Sequence, residues 1–236
     1  MKIVNVSAYK FITLKKGLLP KLQRAMCNKG MVYQLKGTIL LSCEGINLML
    51  AGKHESIFGF QTFLGNFPEF NDLFYKESLS STYPFKKFIV RIKKETITMH
   101  CPDINPEKET APHISPETLH HWYRESHDIV ALDIRNHFEI AMGTFINSMN
   151  LNLQSFSDFP WAIDKLSEPL LKEKLIVTFC TGGIRCEKAT AVMLKKGFKQ
   201  VYQLDGGILN YFNTCGRAFF KGECFVFDNR ISIKSV

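Results

Sequence analysis

Apolar and polar positions change period along the chain, and each change marks an element. Residues 3–11 alternate, Val4, Val6 and Ala8 against Asn5, Ser7 and Tyr9, which is the two-residue period of a strand. Over 18–26 the spacing becomes helical, with Leu18, Leu19, Leu22, Ala25 and Met26 on one side and Gly30 placed to end the helix. Strands are predicted at 33–42 and 47–51, with Glu44-Gly45 as the turn between them. Ile57, Phe58, Phe60, Phe63 and Leu64 predict a second helix over 54–65. A last strand is predicted over 87–99, where Phe88, Val90 and Ile92 alternate against Lys87, Ile89, Arg91 and Lys93. The order β-α-β-β-α-β is that of the ferredoxin-like α+β motif. Residues 67–85 fit no single period.

Residues 101–114 carry Pro102, Pro106, Pro112 and His113 without apolar periodicity and read as a linker. Ser115-Pro116-Glu117 then opens a helix with a hydroxyl cap, a proline and an acid. Short apolar runs at 129–132, 175–179 and 201–204 read as buried strands, with helical stretches at 159–166 and 186–196 among them. Strands alternating with helices predict a parallel sheet, whose ligands bind at strand carboxyl ends. The expected organisation is a domain over 1–100, a linker over 101–114, a second domain over 115–213 and a C-terminal extension over 214–236.

Charge sharpens this division. Residues 1–100 hold 15 Lys or Arg against 6 Asp or Glu, so nearly all of the chain's net charge of +8 belongs to the first domain. Residues 1–53 contain one acid, Glu44. A basic module of this kind suits a polyanion. Lys36, Lys86, Lys87, Arg91, Lys93 and Lys94, with Tyr83, Phe85 and Phe88 nearby, are candidate RNA-binding residues, since cations hold phosphates and aromatic rings stack unpaired bases. Strand packing accounts for the same aromatics. No run reaches the ~18 apolar residues of a membrane span. The start lacks a signal-peptide pattern, so a cytoplasmic protein is expected. Seven cysteines without paired spacing argue against both a disulfide framework and a zinc site. His100, Cys101, Cys215 and Cys224 are not read as metal ligands.

The chemistry concentrates at Cys180-Thr181-Gly182-Gly183-Ile184-Arg185. The cysteine follows an apolar strand on a glycine-bearing loop and faces the amino terminus of a helix. Backbone N–H groups, the helix dipole and Arg185 all favour an anion there, which lowers a thiol pKa. Cys180 is therefore expected to be a reachable thiolate nucleophile, with the amides of Thr181 to Arg185 holding the charge. Arg185 either steers an anionic substrate or pairs with Asp133 or Glu139. Cys186 either resolves an oxidised Cys180 or packs in the core. Asp133, Arg135 and Glu139 are expected to support the loop, and Glu187 and Lys188 to form a solvated face.

Two resemblances follow from these residues. Leu132-Asp133-Ile134-Arg135, Phe138-Glu139, Gly143-Thr144-Phe145 and Asn147, the six-residue loop, and Gly197-Phe198 through Val201, Leu204, Gly206 and Gly207 resemble the rhodanese homology domain. Phe145 and Ser148 depart from that pattern. A loop of six residues matches sulfur-handling members, whereas related phosphatases and arsenate reductases carry one residue more. A narrower resemblance rests on Gly37-Thr38-Ile39-Leu40-Leu41, Glu44-Gly45-Ile46-Asn47, the stretch from Cys180 to Ala189, and Gly222-Glu223-Cys224-Phe225-Val226-Phe227-Asp228. These are similar to the bacterial tRNA uridine(34) hydroxylase family, with Phe219-Phe220 departing from an aromatic–tryptophan pair.

That resemblance implies an acylphosphatase-like domain before a rhodanese-like one. It also implies oxygen-dependent formation of 5-hydroxyuridine at the tRNA wobble position, with the anticodon stem-loop as partner and no DNA or membrane. Dioxygen and an unidentified electron donor are implied; no cofactor motif is legible. By the same resemblance Cys180 carries a persulfide or other covalent sulfur species. The rival reading is a sulfurtransferase acting through a persulfide on Cys180. A non-catalytic RNA-binding module is the third.

Overall fold

The computed structural model describes residues 2–166 and 169–234, and these fall into two compact units. One runs up to Ile97 and takes in Asp228–Arg230; the other comprises Thr98–Phe227 and the described residues from Ile231 on. The outermost residues of the expected first domain and C-terminal extension, 1 and 235–236, lie outside the described residues.

In the first unit β1 (Ile3–Phe11), α1 (Leu19–Val32), β2 (Lys36–Ser42), β3 (Gly45–Gly52), α2 (His54–Gly65), β4 (Lys76–Ser80) and β5 (Phe88–Ile92) follow in order. The sheet runs β4-β1-β3-β2-β5. One face carries Val4, Val6, Ile39, Leu41, Leu48 and Leu50, packed with Leu22 and Met26 of α1 and Ile57 and Phe60 of α2. The expected β-α-β-β-α-β motif is present, but its sixth element is β4, inside the stretch that fitted no period. β4 lies antiparallel to β1. β5 is an added strand at the opposite edge, parallel to β2, and ends at Ile92 rather than 99.

Gly30 does not end the first helix, which continues to Val32. A Cβ on Gly30 would lie 2.2 Å from the Phe88 ring, so this glycine lets α1 approach β5. The close approach outweighs its poor helix propensity.

The second unit contains β6 (His113–Ile114), α3 (Pro116–Arg124), β7 (Ile129–Asp133), α4 (His137–Ile140), β8 (Gly143–Phe145), β9 (Met149–Asn150), α5 (Phe159–Lys165), α6 (Pro169–Glu173), β10 (Leu175–Phe179), α7 (Ile184–Lys195), β11 (Gln200–Leu204), α8 (Gly207–Cys215), β12 (Phe220–Gly222), β13 (Cys224–Phe225) and β14 (Ser232–Ile233). A five-stranded sheet, β6-β11-β10-β7-β9, is parallel throughout, with β10 at its centre. Residues 101–114, expected as a linker, bury Ile104, Ala111 and Ile114 and supply the edge strand β6.

The extension after 213 also packs. β12 pairs with β8 so that Phe220 faces Phe145 across the ladder. These are the two aromatic departures from the family patterns, and they are register partners. Phe145 is ringed by Phe179, Tyr211 and Phe220 at centroid distances of 5.0, 4.7 and 5.2 Å, all edge-on. Edge-to-face pairs of this kind stabilise beyond the area they bury.

Candidate active site

β10 delivers Cys180 to the carboxyl end of the parallel sheet, and α7 begins four residues later at Ile184. The connecting loop turns its amides inward: the Gly183 N–H donates to Cys180 Sγ at 3.1 Å. Its carbonyls are held by the start of α8, where Ile208 N–H donates to Cys180 O and Leu209 N–H to Thr181 O, each at 3.0 Å. Gly207 makes this contact possible. Its φ is +67°, and a Cβ there would lie 2.4 Å from Cys180 O. In the sequence Gly207 stands out only as part of the rhodanese pattern, because its role against the loop arises from a contact 27 positions away in the chain.

Burial raises the Cys180 pKa, yet opposing groups outweigh it. The Cys186 thiol donates a hydrogen bond to the Cys180 sulfur, Arg185 supplies charge, and the Arg185 and Gly183 amides donate as well; together they bring Cys180 down to about 5. Burial and the adjacent Cys180 sulfur push Cys186 the other way, so it stays a protonated donor. The expectation that Cys180 is reachable needs correction: the residue is 1% exposed. The part of the loop nearest solvent is its outer rim, where Gly182 and Ile184 are half-buried.

Arg185 forms a bidentate pair with Glu139, Nη1 to Oε1 at 2.5 Å and Nη2 to Oε2 at 2.8 Å. Of the two partners weighed, Glu139 is the one the fold supplies. Both groups are buried, and the guanidinium stays charged because its carboxylate is beside it. Asp133 is occupied elsewhere. It accepts from Arg135 Nη2 at 2.7 Å and from Thr144 Oγ1 at 2.6 Å, while the same Nη2 donates to Gly143 O at 2.6 Å. This second pair is fully buried and ties β7 to β8. Thr144 is a supporting residue that sequence spacing missed.

Glu187 and Lys188, expected on a solvated face, are buried. Glu187 accepts from Thr110 Oγ1 at 3.0 Å and from Gln203 Nε2 at 3.1 Å, and bonds His113 Nε2 at 3.0 Å. Helical periodicity misled here because α7 is buried on every side from Arg185 to Met193.

The candidate RNA-binding residues divide. Lys36, Lys86 and Lys87 line one open basin of about 660 Å³ in the first unit, with Tyr83, Phe88, Met31, Gln34 and Leu35. No acid lines it. Arg91, Lys93 and Lys94 are exposed but do not contribute to its wall. Among the described residues no group of three or more His, Cys, Asp or Glu side chains could hold a metal, and no helix is long and apolar enough to cross a membrane.

A cysteine on a six-residue amide loop, at the carboxyl end of a central parallel strand, is the arrangement of a rhodanese-like domain; an acylphosphatase-like α+β unit precedes it. Residues 3–96 match the UPF0176 acylphosphatase-like domain and residues 115–214 the rhodanese-like domain. The chain is 48% identical over 238 residues to a protein of Cupriavidus taiwanensis named tRNA uridine(34) hydroxylase, covering 99% of this chain and 83% of that one. Proteins of the same name from Ralstonia nicotianae and Burkholderia cenocepacia are 45% and 44% identical, each match covering at least 99% of this chain and 84% of theirs. The chain belongs to the tRNA uridine(34) hydroxylase family.

Proposed function

We propose that this protein hydroxylates the wobble uridine of tRNA at C5, giving 5-hydroxyuridine, with dioxygen as the oxygen source and Cys180 as the working thiolate. The observation that carries this reading is the Cys180 sulfur held by the loop amides, on a chain related over its whole length to proteins named for uridine(34) hydroxylation. A thiolate at neutral pH is the nucleophile such chemistry needs. Replacing C5–H by C5–OH with one atom of dioxygen leaves the other as water. That balance takes two electrons and two protons from a reductant.

The anticodon stem-loop is the proposed partner. Its wobble base is already unpaired, so little stacking energy opposes its capture. The basin of Lys36, Lys86 and Lys87 suits its phosphates, since none of the three is in an ion pair or side-chain hydrogen bond among the described residues. A simple sulfur carrier has no need of such a basin.

The test is expression in a host that cannot make 5-hydroxyuridine, with nucleoside mass spectrometry of its tRNA. The expected result is 5-hydroxyuridine in aerated cells, none under nitrogen, and none with Cys180→Ser. Absence of the nucleoside in aerated cells, together with transfer of sulfur from thiosulfate to cyanide by the purified protein, would establish the sulfurtransferase instead.

A further inference from the structure

The segment Cys224-Phe225-Val226-Phe227 alternates as a strand does, but its outward positions are aromatic. Cys224 and Val226 point into the core and are buried. Phe225 and Phe227 occupy the other parity, and Phe227 is 49% exposed. A strand with one face on the core ordinarily presents polar groups on the other. Here the segment runs beside the cysteine loop, touching it through the Phe225 carbonyl and the Phe227 ring. Thr181 Oγ1 donates to Phe225 O at 3.4 Å, and the Arg185 guanidinium carbon lies 5.7 Å from the centre of the Phe227 ring.

A third ring completes the row. Phe138 stands next to Glu139 on α4, so one helix turn holds Arg185 with one side chain and presents an aromatic with the next. Phe138 is 48% exposed and meets Phe225 edge-on at 5.2 Å; Phe225 meets Phe227 edge-on at 5.0 Å. The same unit buries Phe145, Phe159 and Phe179 almost completely, so aromatic rings in this domain are not left outside for want of a core. Two half-open rings flanking a third, beside the Arg185–Glu139 pair of the cysteine loop, form a surface for a flat, uncharged ring.

We infer that Phe138 and Phe227 receive the pyrimidine that is brought to Cys180, stacking on it as it leaves the RNA loop. The inference rests on the function proposed above and adds the residues that hold the base. Aromatic stacking is sequence-tolerant, so this rim supplies hold and orientation, not the choice among bases. The charge of Arg185 is already matched by Glu139, which leaves its planar group free to support Phe227 from behind without competing for phosphate.

The test compares two anticodon stem-loop RNAs, one with uridine and one with an abasic residue at the wobble position, binding to the full-length protein. Wild type is expected to bind the uridine RNA about tenfold more tightly, the range of one base–aromatic stack. Phe227→Leu and Phe138→Leu are expected to shrink that difference severalfold, and Phe227→Tyr to restore it. Thiolate absorbance of Cys180 in each variant verifies that the loop is intact. Equal discrimination by wild type and both leucine variants would overturn the inference, as would a wild type blind to the missing base. Neither result depends on whether 5-hydroxyuridine is formed, so a failed hydroxylation assay sinks the proposed function while leaving the base-receiving rim to stand or fall by itself.

Discussion

At the scale of single residues, the neighbours of Cys180 govern its charge state. The sulfur is buried, which alone would keep it protonated; the Cys186 hydrogen bond, Arg185 and two amides reverse the sign. Thiolate absorbance, taken as wild type minus Cys180→Ser, should therefore titrate near pH 5. Cys186→Ala should move that midpoint upward by removing the donor. Because the folded pKa lies below the unfolded one, ionisation of Cys180 stabilises the fold most fully at pH above the ordinary thiol range. This contribution falls as pH drops and is gone below about 5. Cys180→Ser should accordingly flatten the dependence of stability on pH across that window. The Arg185–Glu139 pair makes a second prediction: Glu139→Ala leaves a buried guanidinium uncompensated and should cost about 3–5 kcal/mol in denaturant unfolding. A loop with cysteine, glycines and arginine was legible as an anion site. Which carboxylate would answer Arg185 was not, because Asp133 and Glu139 are both remote from it along the chain and only packing separates them.

At the scale of elements, the loop's shape depends on α8 as much as on its own glycines. Gly207→Ala places a methyl group against Cys180 O and Gly183 N, and puts an L side chain at positive φ. The variant should fold, lose most activity, and show a raised Cys180 pKa in the same absorbance titration, since the amides no longer converge. Phe145 and Phe220 give the complementary lesson. Each is a departure when its motif is read alone, but as ladder partners in β8 and β12 they fill one aromatic core between them. Most helices and strands were legible from period. Those missed were short, such as β4, with five residues at an edge, and β6, a two-residue strand inside a proline-rich stretch; α7 was read as a helix, but its burial on all sides was not.

At the scale of the whole molecule, a basic unit and a thiolate unit share one chain, and the charge imbalance between them is countable residue by residue. Lys86→Ala with Lys87→Ala should weaken tRNA binding and flatten its dependence on salt by about 0.7–0.9 in log–log slope for each phosphate no longer neutralised. Cys180 absorbance and thermal stability should stay unchanged. An unaltered slope would place the phosphates elsewhere, on Arg91, Lys93 and Lys94 for example. By itself, the sequence determined the two-domain α/β plan, the basic character of the first domain and the anion-binding loop at Cys180. These are properties of local pattern: period, charge count and a helix start next to glycines. Only the tertiary structure decided that Glu139 holds Arg185, that Gly207 seats the loop, that Glu187 is buried and that Phe138 meets Phe225. Such contacts join residues tens of positions apart, and no local pattern encodes which of several chemically equal partners the folded chain will bring within reach.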